Sequence, residues 1–231
     1  MFTQNISFKN FLIKKKKLIV KKKLKLILNE KNQVIRSLSK SYKDSFSKKN
    51  TKHFNKRFDH RIIGMGGSTL GAQAIYDFLK KKIKKKFIFV DNLNAFKNKK
   101  AKKNLNNLII SKSGNTTETI VNANILIKKK DKNLFITEKK ESYLNLLAKK
   151  LKAEVVDHNN YIGGRYSVLS EVGMLPAELM GLNYKNFRQL NNLVKNKSFM
   201  KALVSNVEAI IYFLKVKKLF LKPSRYNCIT L

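Results

Sequence analysis

The chain has 231 residues, 43% of them hydrophobic, which is enough for an α/β domain with extensions. Its formal net charge of +37 would ordinarily point to nucleic acid or an anionic membrane, but the excess is almost all Lys, spread along the chain with abundant Asn, Ile and Phe, as A/T-rich codons alone would produce. The one cysteine, Cys228, excludes an intramolecular disulfide and a cysteine-based zinc cluster, and no apolar run approaches the ~20 residues of a membrane span.

Residues 1–58 form a Lys-rich extension. Phe11, Leu12, Leu18, Ile19, Leu24, Ile27, Val34 and Leu38 give it a patchy helical pattern. Lys14–Lys17 and Lys21–Lys23 interrupt every apolar stretch, which removes a signal-peptide reading and predicts a soluble, cytoplasmic protein. From Arg61 the character changes. Ile62-Ile63 read as a strand entering the glycine turn Gly64–Gly67, with Ser68 as N-cap of a helix through Leu70, Ala74, Ile75, Phe78 and Leu79. Phe87–Val90 is a second strand, ending at Asp91-Asn92, and Leu108–Ile110 a third. A helix from about Thr116 to Lys129 follows the third strand. Leu134–Thr137 is a fourth strand, followed by a helix from Ser142 to Leu151, and Ala153–Val156 is a fifth, ending at Asp157-His158. Beyond it come Gly163-Gly164-Arg165-Tyr166-Ser167, the block from Glu171 to Gly181, helical segments at roughly 184–196 and 199–215, and Leu219–Leu221 before a Pro-Ser turn.

Strands alternating with helices of 10–15 residues predict crossover connections and a parallel sheet covered on both faces. Ligands of such sheets bind beyond the carboxyl ends of the strands, so the polar loops after strands one, three and five should share one edge. The division this suggests is an extension over 1–58, an α/β domain over 59–182, and a helical C-terminal segment over 183–231.

The stretch Ser111–Thr119 stands out. A strand runs through four hydroxyls, a lysine and Gly114 into a helix start, so backbone N–H groups and the positive end of the helix dipole converge on one spot. An ordinary capped turn would use one such hydroxyl; here Ser111, Ser113, Thr116 and Thr117 stand together with Lys112, which suits a phosphate or similar anion. The glycine turn after strand one fails the dinucleotide fingerprint, because Thr69 stands where G-x-G-x-x-G needs its last glycine. It also lacks the phosphate-loop and nucleophile-elbow patterns. What remains is a turn where Gly66 and Gly67 admit a ligand to the backbone, or one that serves packing alone. Arg165, in a glycine-flanked loop of a chain dominated by Lys, offers a fork for a planar oxyanion, or else a surface ion pair. His158 reads as structural. Glu118 either complements the helix dipole or orients a catalytic group.

Together these loops resemble the glucose-6-phosphate isomerase family, phosphosugar isomerases built from two SIS (sugar-isomerase) subdomains. Gly66–Gly71 is similar to its first glycine loop. Ser111–Thr119 is similar to its S-K-T-x-T-T-x-E-T signature, with Ser113 for the usual Thr and departures at Gly114 and Asn115. Gly163–Pro176 is similar to its G-G-R-[FY]-S-x-x-S-x-V-G-x-x-P block. The resemblance covers roughly residues 60 to 181 and implies a SIS-type three-layer α/β domain with a five-stranded parallel sheet. It implies that Ser111, Lys112, Ser113 and Thr116 hold the sugar phosphate and that Gly67 and Ser68 line the sugar site. Arg165 would stabilise a cis-enediolate, and Glu118 would orient a catalytic histidine. It implies no metal or cofactor, and a homodimer; composition already argues against a specific nucleic acid and a membrane. The family's base, ring-opening histidine and late lysine belong to a second half, and Lys222–Leu231 do not resemble its start. The expectation is an N-terminal fragment, truncated or frameshifted, that binds a sugar phosphate without turnover. A lone phosphosugar-binding regulatory module and a basic nucleic-acid-binding protein are the alternatives.

Overall fold

The structure, a computed structural model, describes residues 18–30, 32–52, 54, 59–93 and 105–216. Leu219–Leu221, the Pro-Ser turn, Cys228, His53, Phe11 and Leu12 lie outside them. In chain order the helices α1 (Leu18–Asn29), α2 (Gln33–Ser37) and α3 (Lys48–Lys52) come first. An alternating run then begins with β1 (His60–Gly64), a 3₁₀ turn at Gly66–Ser68, α4 (Leu70–Leu79) and β2 (Phe87–Val90). It continues through β3 (Asn106–Ile110), α5 (Thr117–Leu126), β4 (Lys132–Thr137), α6 (Tyr143–Leu151) and β5 (Glu154–Asp157). A 3₁₀ helix at Gly164–Leu169 leads into α7 (Glu171–Leu179), and α8 (Leu190–Lys195) and α9 (Lys197–Val216) close the described chain.

Two compact units result. One lies within residues 33–189 and contains the whole sheet; the other combines the described residues up to 32 with the described residues from 190 onward. In the second, α9 packs with α1 and α8, and the Asn196 side chain accepts the Phe199 N–H (2.9 Å) at the start of α9. No helix among the described residues is long and apolar enough to cross a membrane.

All strand pairs are parallel, in the order β2-β1-β3-β4-β5. Successive strand residues point to opposite faces, and the apolar runs use both. Ile62, Leu108, Ile110, Leu134 and Ile136 meet α4 and α7 residues on one face. Ile63, Ile109 and Phe135 meet Ala123 of α5 and Leu144 and Ala148 of α6 on the other. Each of these Ile, Leu and Phe side chains, removed from water, stabilises the fold by about 1.5–3 kcal/mol. This is the expected SIS-type three-layer α/β architecture, with helices on both faces of the sheet; α2 and α3 belong to the same compact unit as the sheet.

Several boundaries shift for physical reasons. β3 starts at Asn106, two residues before its apolar run, because Asn107 is paired in the sheet with Asn133 and donates to its side-chain oxygen at 2.8 Å. A buried polar residue costs little once so satisfied. α5 stops at Leu126 rather than near Lys129; the half-buried Arg61 guanidinium takes the Leu126 carbonyl at 2.9 Å, supplying a partner the helix end lacks. α6 ends at Lys152 in the left-handed conformation (φ 52°), and the Ala153 N–H returns to the Ala148 carbonyl, so β5 begins at Glu154. The segment read as one helix over 184–196 is a 3₁₀ turn at Tyr184–Phe187 followed by α8.

Candidate functional site

Parallel pairing places the ends of β1, β3 and β5 on one edge of the sheet. With the order β2-β1-β3-β4-β5, the loops after β1 and β3 flank the point where the strand order reverses, the position at which open α/β sheets bind ligands.

The loop after β3 is closely knit. Ser111 is buried, its N–H held by the Ile136 carbonyl (3.1 Å), and its Oγ lies 2.9 Å from Thr116 Oγ1. Ser113 Oγ stands 3.5 Å from the same Thr116 oxygen. The three hydroxyls expected to grip an anion therefore converge. Gly114 turns the chain at φ +70°, and its N–H donates to Ser111 Oγ at 3.2 Å. Thr116 caps α5 in an extended conformation without a side-chain hydrogen bond to the helix. The first-turn N–H groups of α5 have no intrahelical acceptor, so the donor-rich, positive end of this helix opens beside the hydroxyls.

Lys112 bridges two loops. Its Nζ donates to the Asn160 carbonyl at 2.6 Å and lies 3.6 Å from Glu138, which also pairs with Lys140 at 2.6 Å. Burial opposes the charge on Glu138, but Lys140 and Lys112 outweigh it and hold its pKa below the ordinary carboxylate value. Lys112 thus ties the hydroxyl loop to the loop after β5.

The glycine turn also departs from expectation. Thr69, not Ser68, stands at the N-cap of α4, and Ser68 belongs to the 3₁₀ turn. Gly66 has φ +52° and open space around it. Gly67 serves a close approach: a Cβ there would lie 2.2 Å from the Gly164 carbonyl oxygen. Ser167 stitches the same contact, its Oγ 2.7 Å from the Gly164 carbonyl and 3.3 Å from that of Gly67. The chain leaving β5, a sheet edge, therefore crosses to meet the turn after β1 and carries Arg165 with it. Arg165 is exposed, and among the described residues its side chain has no hydrogen bond or ion pair. The Glu118 side chain, half-buried in the first turn of α5, likewise has none among them. The sequence-selected residues thus gather into a hydroxyl cradle and a joined Gly67–Arg165 wall.

Sequence reading offered no sign of what braces this wall. Glu171, fully buried at the start of α7, accepts from Tyr42 Oη (2.8 Å), the Ser45 N–H (2.9 Å) and Asn159 Nδ2 (3.2 Å). Burial and the neighbouring Glu171 raise the Tyr42 pKa, so this phenol stays protonated as a donor. Arg188 forms a bidentate pair with Asp44, donates from Nε to the Leu169 carbonyl at 3.0 Å, and stacks 4.7 Å above the Tyr42 ring. Partners more than 100 residues apart leave no local signal. His158 is buried, and that burial lowers its pKa, consistent with the structural role expected of it. No group of His, Cys, Asp and Glu suited to a metal ion occurs among the described residues.

The glucose-6-phosphate isomerase of Acholeplasma laidlawii is 35% identical over 173 residues, covering 62% of this chain and 40% of that protein. The glucose-6-phosphate isomerase of Methanocaldococcus jannaschii is 34% identical over 170 residues, covering 65% of this chain and 41% of that protein. The chain therefore spans about two fifths of the length of these curated relatives. The crystal structure of a hypothetical protein from Thermus thermophilus shares the fold, with a TM-score of 0.64 at 18% identity over 85% of this chain and 52% of that one. The family model described as phosphoglucose isomerase matches residues 15–216, a span that includes the glycine turn, the hydroxyl loop and the Gly-Gly-Arg block, and the chain belongs to that family.

Proposed function

We propose that this chain is the N-terminal, phosphosugar-binding part of a glucose-6-phosphate isomerase, which interconverts glucose 6-phosphate and fructose 6-phosphate through a cis-enediolate. The observation that carries this reading is the convergence of Ser111, Ser113 and Thr116 at the open N-terminus of α5. There the phosphate receives hydroxyl and backbone donors, each charge-assisted bond contributing about 1.5–3 kcal/mol. Gly67 and Ser68 line the sugar. Arg165, without a protein partner among the described residues, supplies a fixed cation for the oxygen that becomes negative as the proton moves between C1 and C2. Glu118 orients a catalytic histidine, as the resemblance implies.

In this reading the proton-transferring base and the ring-opening groups belong to the part of the family's length that this chain does not span. General acid–base catalysis contributes about 10²–10⁴-fold, so the chain alone binds without turning substrate over. The isomerisation uses neither metal nor cofactor. The protein is a cytoplasmic homodimer, and its Lys excess forms a solvated surface rather than a nucleic-acid site. Calorimetric titration with glucose 6-phosphate and with glucose tests the proposal. Binding that needs the phosphate and is lost in Ser111→Ala and Thr116→Ala is expected; equal affinity for glucose would overturn it. Isomerase activity from the purified chain, abolished by Arg165→Ala, would overturn the claim of binding without turnover.

A further inference from the structure

Gly114 and Asn115, in the middle of the hydroxyl loop, attach that loop to the next helix. Asn115 is exposed, yet its Oδ1 accepts the Tyr143 N–H at 2.8 Å, the first residue of α6. The Gly114 carbonyl accepts the Leu144 N–H at 3.1 Å. The Ser142 cap takes the Asn145 N–H at 3.4 Å. Successive orphan donors of α6 are thus satisfied, two of them by the loop itself. Gly114 is required twice over, by its φ of +70° and because a Cβ would lie 2.3 Å from Ser142 Oγ. Tyr143 then reaches back to α5, its hydroxyl 2.8 Å from Asn124 Nδ2 and 3.1 Å from Asn124 Oδ1. The circuit runs from loop to α6 to α5 and closes around the three hydroxyls.

We infer that Asn115 is a positioning residue: it clamps the segment between Ser113 and Thr116 onto α6, so the hydroxyls are already aimed when an anion arrives. The donors of α6 are consumed by the clamp and those of α5 are left for the ligand, which assigns the two neighbouring helix ends different tasks. A preorganised loop loses less conformational freedom on binding, and that saving appears as affinity. This inference rests on the phosphosugar reading of the site.

The experiment uses the full chain, with hydrogen exchange of backbone amides and titration with glucose 6-phosphate. In Asn115→Ala the N–H groups of Tyr143 and Leu144 should exchange faster, and the Kd should rise by about fivefold to tenfold, as for loss of one organising hydrogen bond. Asn115→Asp restores the acceptor, so it should restore amide protection while binding stays weak, because a carboxylate then faces the phosphate. Unchanged protection in Asn115→Ala would overturn the clamp. Lost protection with wild-type affinity would overturn its positioning role. A wild-type chain that binds no phosphosugar would instead overturn the function proposed above, and exchange alone then decides whether the clamp exists.

Discussion

Gly67 lies so close to Gly164 that a Cβ on Gly67 would stand 2.2 Å from the Gly164 carbonyl oxygen, whereas a Cβ on Gly164 would meet nothing within 4 Å. This one-sided contact joins the turn after β1 to the loop that carries Arg165. Gly67→Ala should force the two backbones apart and cost about 1–3 kcal/mol, as overpacking does. Gly164→Ala should be nearly neutral. Urea denaturation of the two variants measures the difference, and equal effects would mean the loops do not meet as described.

The Asp44–Arg188 pair should be among the most sensitive features of the domain. Both side chains are nearly inaccessible, at 8% and 3% exposure. Arg188→Ala leaves Asp44 buried without its partner and is expected to destabilise by about 3–5 kcal/mol. Replacing both residues by apolar ones of similar volume should cost much less. A double-mutant cycle in chemical denaturation reads the coupling directly.

His158 gives stability a pH dependence of known sign. Burial holds its pKa below the ordinary value of 6.5, with Lys112 working in the same direction and Glu171, Glu138 and the Asn159 carbonyl opposing. The folded chain therefore prefers the neutral ring, and the unfolded chain takes up a proton first as pH falls through 6.5. Stability should drop as pH is lowered from 6.5 toward the folded-state pKa. Thermal melts across that range should show the decline, and His158→Gln should flatten it.

Arg165 should separate stability from chemistry. It is exposed and has no partner among the described residues, so Arg165→Ala should change stability by no more than about 0.5 kcal/mol. Its proposed task concerns the reacting carbons rather than the phosphate. Affinity for a phosphorylated hydroxamate that mimics the enediolate should fall by about a hundredfold, and affinity for glucose 6-phosphate far less. Equal losses for both ligands would place the guanidinium at the phosphate instead.

Much of this molecule is written locally. Phe87–Val90 has the limits of β2 as read from its apolar run, and the helix read from Ser142 to Leu151 is α6, with Ser142 as its N-cap. Ser111, Ser113 and Thr116 lie within six residues of each other, so their clustering needed only a strand end and a helix start. The block from Glu171 to Gly181 was harder. Gly173 and Pro176 weaken a helix reading, yet α7 runs through both. Only the fold explains Gly173, where a Cβ would strike the Val168 carbonyl oxygen at 2.0 Å.

The sequence by itself determined the α/β alternation, the hydroxyl-rich cradle and the motifs that mark the family, because periodicity, caps and turns act over a few residues. Tertiary structure alone decided the task of each glycine and lysine around that cradle. Gly67 makes room for Gly164 rather than only for a ligand, Lys112 reaches the Asn160 carbonyl, and Asn115 caps a helix other than the one its own loop begins. These contacts join segments from 28 to about 100 positions apart, and no local pattern of residues specifies which distant backbone will arrive at a given side chain.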